Sequence, residues 1–288
     1  MNKKKSLLVI TGIYGFTILV SILLFRFINT GYVIFDALVV SVFATTIIFM
    51  FSAVFKNASI YDPYWSVAPM VLIFAFVDSI NLVNLLFITV IYVWGIRLTL
   101  NWVKTFTNLH HQDWRYDYYR SKSKKLWPIV NYFGIHLMPT CVVFAAITPV
   151  YQGIISNGQV NAIVYFGFFI AFSAVFIQAV SDAQMHKHRF SHKKMVNQTG
   201  LWKYSRHPNY FGEILFWFGL FTMSVGLTFD IRWIIGPILM VFLFVAISIP
   251  LMERRQLNRR DGYAEYQKQT RMLLPVPKPI FPKNREAS

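Results

Sequence analysis

Two short stretches bring acids, amides and bases together at helical spacing. In "QAVSDAQMHKHRFSHKKM", Asp182, His186, Arg189 and Lys193 fall at i, i+4, i+7 and i+11, so one helix face carries all four. Asp182 stands at the apolar end of that stripe, where an ionisable group is expected to face a bundle interior and to have a partner. The plainer alternative is a helix-end ion pair with basic side chains reaching outward. In "SRHPNYFGE", Ser205 or His207 can cap, Pro208 suits a first helical turn, and Asn209 and Glu213 then share a face with Gly212 beside them. A carboxylate next to an amide offers the acceptor and donor that a carboxamide needs. The free N–H groups of that helix start, with Arg206 and His207 alongside, make an anion-binding mouth. Here the plainer alternative is a capped span with one polar contact to a neighbour.

Two further regions are basic and aromatic. The loop 104–127 mixes Asp113, Arg115, Tyr116, Asp117 and Arg120 with Trp and Tyr. The tail after residue 251 runs from Glu253 through four arginines to Tyr263, Tyr266 and Arg271, and its apolar "MLLP" predicts a tail folded back onto the body. Each also fits an interfacial belt or a lipid-binding tail. Taken together, the four regions describe a basic, aromatic funnel ending at a carboxylate and an amide. Arginines suit phosphates and tyrosines suit a stacked base. A phosphate-rich planar cofactor on one side and a lipid-soluble substrate held between spans would use all of it.

The elements that position these residues are membrane spans. Of 288 residues, 56% are hydrophobic and only 14% charged, mean hydropathy is +0.47, and 28 are Phe, far from the composition of a soluble domain. Eight apolar runs read as spans, at 7–27, 33–55, 66–79, 81–103, 128–151, 160–182, 208–227 and 231–251. The first follows "MNKKKS" but is long and has no small-residue cleavage site, so it reads as a retained span. An even number of passes puts both termini on one side, and all basic residues except Arg26 and Arg232 fall on that side. The positive-inside rule makes it cytoplasmic. The expectation is an all-α, multi-pass cell-membrane protein with both termini and the cofactor site on the cytoplasmic side. One membrane domain covers 1–288, with 1–103 as the substrate half and 104–288 as the cofactor half.

The net charge of +16 is topology plus attraction to anionic headgroups, so nucleic acid is not needed as a partner. The bilayer and an apolar small molecule are the expected partners, with no obligate protein partner. Cys141 is the lone cysteine, which excludes a disulfide framework and a thiolate metal site. His188 and His192 stand at i, i+4, a chelating spacing, but seven histidines are too few for a di-iron membrane enzyme, and no metal is expected.

"GLWKYSRHPNYFGE", "SDAQMHKHR" and "MERR…GYAEYQ…LLPVP", with weaker matches at "DPYW", "WGIRLTLN" and "DWRYDYYR", resemble the steroid 5α-reductase-like superfamily. The best match is its bacterial branch of unknown substrate. Sterol reductases and isoprenylcysteine carboxyl methyltransferases belong to the same superfamily. The resemblance implies an NADPH-dependent reductase that transfers a hydride to a C=C or conjugated enone of an apolar, steroid-like lipid. It implies cofactor contacts from Arg97, Arg115, Tyr116, Asp182, Arg189, Tyr204, Arg206, His207, Asn209, Tyr210, Glu213, Tyr263 and Tyr266. Asn209 and Glu213 match the pair facing the nicotinamide. The family's carbonyl-polarising Glu and Tyr correspond to Asp62 and Trp94, and an indole cannot serve as a phenolic acid. Asp62, Tyr61 and Tyr64 are the remaining candidates for a proton donor, and Asp62, Tyr64 and Glu213 form the expected catalytic set. The methyltransferase branch shares the "RHP-x-Y-x-G" pattern, so S-adenosylmethionine is the alternative cofactor.

Overall fold

The apolar runs become helices, and polar side chains close several of their ends. Asn2 accepts from the backbone N–H of Lys5 to start the first helix, Asn81 accepts from Asn84 to start the fourth, and Asp113 accepts from Arg115 to start the fifth. Each satisfies an N–H that a helix start leaves free. The structure, a computed structural model, describes residues 1–156, 158–191 and 195–277. Lys193 and His192, singled out above, lie outside the described residues.

In chain order the helices are α1 (Lys3–Phe27), α2 (Val33–Val54), α3 (Tyr64–Phe76), α4 (Leu82–Thr105), α5 (Trp114–Ser123), α6 (Trp127–Ile129), α7 (Met138–Ile155), α8 (Ala162–Ser191), α9 (Pro208–Thr228), α10 (Ile235–Phe242), α11 (Ile249–Leu257) and α12 (Tyr263–Gln269). Two π-helical stretches, Val130–Leu137 and Leu243–Ser248, lead into α7 and α11. Among the described residues there is no β-strand, only two isolated bridges. The chain is an all-α, multi-pass membrane protein. Seven helical runs are long and apolar enough to cross a bilayer, those of 114–155 and 232–257 each passing through a π-helical stretch.

The difference from the eight expected spans lies in α3. It has 13 residues and Pro69 inside it, which gives about 20 Å of rise where a hydrocarbon core needs about 30 Å. The alternation of direction survives this short leg. Lys3 Nζ donates to the carbonyl of Lys104 (3.2 Å), Ser6 Oγ accepts from Leu109 N–H (3.2 Å), and Asn57 Nδ2 donates to the carbonyl of Leu109 (2.7 Å). The start of α1 and the ends of α2 and α4 therefore meet at one end of the bundle. α8, 30 residues long, rises about 45 Å, more than a bilayer core, and its polar stripe sits on the overhang.

The tightest helix pair is α8 against α9. Gly212 and Gly219, seven apart and so on one face of α9, touch α8 directly. A Cβ on Gly212 would stand 2.6 Å from Gln178 Cγ, and one on Gly219 2.6 Å from the backbone nitrogen of Ala171. Small residues at such a seam let two backbones approach closely. The core beside this seam holds Trp94, Phe216, Trp217 and Leu220, all fully buried.

Candidate functional site

α4 and α8 face each other as three polar rungs. On α4, Trp94, Arg97 and Asn101 share a face; on α8, Gln178, Asp182 and His186 do. Arg97 Nη1 donates to Asp182 Oδ2 at 2.8 Å and Nη2 to Gln178 Oε1, and His186 Nε2 stands 3.3 Å from Asn101 Oδ1. Arg97 Nε and Gln178 Nε2 are buried with no hydrogen-bond partner among the described residues. A buried donor left unpaired costs about 1–3 kcal/mol, so two in neighbouring side chains on one cavity wall call for an explanation.

Glu213 closes the inner end. Pro208 opens α9 and places Asn209 and Glu213 one turn apart, as the spacing predicted. Glu213 is buried, and each carboxylate oxygen accepts one indole N–H: Oε2 from Trp94 and Oε1 from Trp217, both at 3.1 Å. Trp94 stacks on Phe216 with centroids 4.7 Å apart and meets Trp217 edge-on. The carboxylate is thus fixed in direction and keeps lone pairs for further donors. A cavity of about 370 Å³ is lined by Arg97, Gln178, Asp182, Asn209 and Glu213 on this side and by Asp62, Trp65 and Arg115 on the other.

A second, more apolar chamber of about 300 Å³ lies alongside, lined by Tyr116, Val130, Gly134, Ile135, Leu243 and Ile247. The two share Asp62, Trp65, Arg115, Tyr210 and Ser248 as lining. On that common wall the Tyr116 hydroxyl donates to Asp62 Oδ1, and Arg115 Nη2 stands 3.8 Å from the same oxygen. Burial pushes the Asp62 carboxyl up to about 6, against the opposing pull of Arg115.

The remaining predicted residues assemble elsewhere. Arg206 Nε donates to Glu253 Oε1 at 2.6 Å, and its Nη1 to the carbonyls of Gln267 (3.1 Å) and Thr270 (2.5 Å). His207 Nε2 stands 3.1 Å from Glu253 Oε1, and Gln267 Nε2 donates to Oε2 at 2.7 Å. The backbone N–H groups of Arg206 and His207 donate to the carbonyls of Arg271 and Met272, and the buried Tyr266 hydroxyl donates to the carbonyls of Trp202 and Ser205. Burial pushes the phenols of Tyr263 and Tyr266 above their usual range. This is a clamp that holds the tail back on the body, as "MLLP" predicted. It reaches the cavities through the His207 ring, stacked 5.4 Å from Tyr210.

Of the predicted residues, Asp62, Arg97, Arg115, Asp182, Asn209, Tyr210 and Glu213 converge on the first chamber, and Tyr116 joins them across the common wall. Arg206, His207, Tyr263 and Tyr266 form the clamp. Arg189 is exposed on α8 and Tyr204 is exposed under Lys203, both outside the two linings. Tyr64 is buried, with its hydroxyl donating to the Ser41 carbonyl at 3.0 Å, and it is in neither lining. Sequence reasoning missed Gln178, Asn101 and Trp217. The first stands one turn before Asp182 and the last one turn after Glu213, so extending each stripe by four residues would have found both.

The family described as "Protein of unknown function (DUF1295)" matches residues 48–270. The chain is 22% identical over 253 residues to "Uncharacterized protein C594.04c" of Schizosaccharomyces pombe, a match that covers 76% of this chain and 73% of that protein. No solved structure matches.

Proposed function

This chain belongs to the DUF1295 family, and on that footing we propose that it is an NADPH-dependent reductase of the steroid 5α-reductase-like kind, acting on a C=C or conjugated enone of an apolar lipid. The observation that carries the reading is the first chamber's inner end, where two unpaired buried donors, Arg97 Nε and Gln178 Nε2, stand with the oriented Glu213 carboxylate. A nicotinamide carboxamide presents one acceptor and two donors. That donor set fits. Glu213 would accept from the amide N–H, Arg97 and Gln178 would donate to the carbonyl, and Asn209 lies within the same lining. A bound NADPH would supply the hydride.

The chain's own part is to orient, to exclude water and to hold a proton. Trp94, Phe216 and Trp217 seal the floor beneath Glu213. Asp62 and Tyr116 hold the proton at the wall where both chambers meet, and the raised Asp62 carboxyl keeps it available near neutral pH. Trp94, standing where steroid reductases carry a phenol, orients Glu213 instead. That favours an acceptor other than a steroid 3-ketone. The basic end of the bundle is the cytoplasmic side in this reading, which gives the chamber access to cytosolic nucleotide.

Thermal melts of detergent-purified protein with NADPH, NADH or S-adenosylmethionine test it. A ligand bound only to the folded state raises the melting point. NADPH should do so for the wild type and fail to do so for Glu213→Gln. Stabilisation by S-adenosylmethionine alone would move the chain to the methyltransferase branch.

A further inference from the structure

The corner between α5 and the span that follows it carries charge that no neighbour takes up. Residues 118–126 read "YYRSKSKKL", with four cations and no acid. Arg120, Lys122, Lys124 and Lys125 are all exposed, and among the described residues their side chains make no hydrogen bond or ion pair. Asp117, the nearest acid in the chain, accepts from Gln112 Nε2 at 2.8 Å. Other cations at this end of the bundle have partners. Arg97 holds Asp182, Arg115 holds Asp113, Arg206 holds Glu253, and Arg255 lies 3.9 Å over the Trp114 ring.

The corner has a defined shape. Lys124, at φ +48° and ψ −113°, ends α5, and one 3₁₀ turn over 124–126 leads into the span. α5 packs back on that span, where Tyr116 clusters with Ile135 and Tyr119 and Trp127 pack beside them. The lysines thus sit at the tip of a helical hairpin. Just past the tip Leu126, Ile129 and Phe133 are each more than half exposed, as lipid-facing residues are. Residues 120–129 line neither chamber, so the two chambers do not account for this charge. Lysines are compact point-charge partners for a phosphate. Their stems lie along apolar surface while the ammonium groups reach the headgroup level, and each cation there adds attraction for an anionic headgroup. A zwitterionic headgroup is disfavoured, because its own cation is repelled by the cluster.

We propose that this corner binds an anionic phospholipid, with the phosphate among Lys122, Lys124 and Lys125 and one acyl chain along Leu126, Ile129 and Phe133. The bound lipid fixes the depth of the α5 hairpin in the bilayer. The site stands independently of the reductase reading.

The test holds full-length protein in phosphatidylcholine nanodiscs. They carry a small fraction of phosphatidylglycerol or phosphatidylcholine with a diazirine in the acyl chain, and peptide mass spectrometry reads where the label lands. The phosphatidylglycerol probe should label 126–133 about fivefold more than the choline probe, and sodium chloride should shrink that excess. On the outer half of α8, where Ile163, Phe166 and Phe169 are exposed, the two probes should label equally. The triple change Lys122→Gln, Lys124→Gln and Lys125→Gln should bring 126–133 down to the choline level. The same three positions changed to Arg should keep the excess. Equal labelling of 126–133 by the two probes, an excess that survives the Gln changes or is lost in the Arg variant, or an equal excess on α8 would overturn the proposal. So would inorganic phosphate that abolishes the excess where chloride of matched ionic strength does not, because the corner would then take a free anion and not a lipid.

Discussion

Arg97–Asp182 and Arg206–Glu253 look alike in sequence: a cation and an acid near the same end of the bundle, each largely buried. Their surroundings differ. Arg206 donates to a carboxylate and to two carbonyls, and Glu253 also takes Gln267 and His207. The Arg97 cluster keeps Arg97 Nε and Gln178 Nε2 unsatisfied and opens on a cavity. A satisfied network holds structure, and a partly satisfied one costs stability unless a ligand completes it. On the proposed function, the tail clamp serves folding and the α4–α8 rungs serve binding.

Four changes can break or sharpen that division. The largest effect belongs to the clamp. Arg206→Ala strands the Glu253 carboxylate and two carbonyls, and should cost about 3–5 kcal/mol of stability, read as a large drop in melting point and early proteolysis after residue 257. In the fraction still folded at low temperature, NADPH affinity should change little; a parallel loss of affinity would place Arg206 in the nucleotide site.

Next comes Asp62. Its carboxyl titrates near 6 when folded and about 3.9 when unfolded. Between those values the folded state keeps a proton that the unfolded state has lost, so stability falls as pH rises through that window. Relative to Asp62→Asn, the wild type should lose on the order of 2–3 kcal/mol between pH 4 and pH 7. Melts of both proteins across that range check it, and a constant difference would mean that Asp62 is not held in its neutral form.

Gly212→Ala should cost about 1–3 kcal/mol, since its Cβ would press on Gln178 Cγ and on the Ala174 carbonyl. Because Gln178 belongs to the binding rungs, NADPH affinity should fall as well, which titration of the variant reads directly. The smallest effect is the control. Arg232→Ala removes an exposed pairing with Asp230 at the far end and should change neither melting point nor nucleotide shift.

Much of this was legible in the sequence, for identifiable reasons. Long apolar runs can satisfy their backbone in lipid only as helices, so the fold class followed from composition. Asp182, Asn209 and Glu213 were found because helical periodicity fixes which residues share a face. α3 misled because hydropathy registers apolar character and not helix length: the helix stops at Phe76, and its 13 residues with Pro69 inside fall short of a crossing. Arg206 and His207 were read as an anion mouth because a helix start with basic neighbours has that form; their partner Glu253 lies about 46 residues away and leaves no local signal. The second chamber was invisible, because π-helical turns have no sequence period of their own.

The central claim is that the α4–α8–α9 chamber takes a nicotinamide dinucleotide against Glu213, and a cryo-electron microscopy map of the nanodisc-held protein with saturating NADPH addresses it most directly. The account predicts planar density between Glu213 and the Arg97–Gln178 pair, with the tail clamp unchanged. Density confined to the clamp or to the exposed arginines, with the chamber empty at saturation, would contradict it.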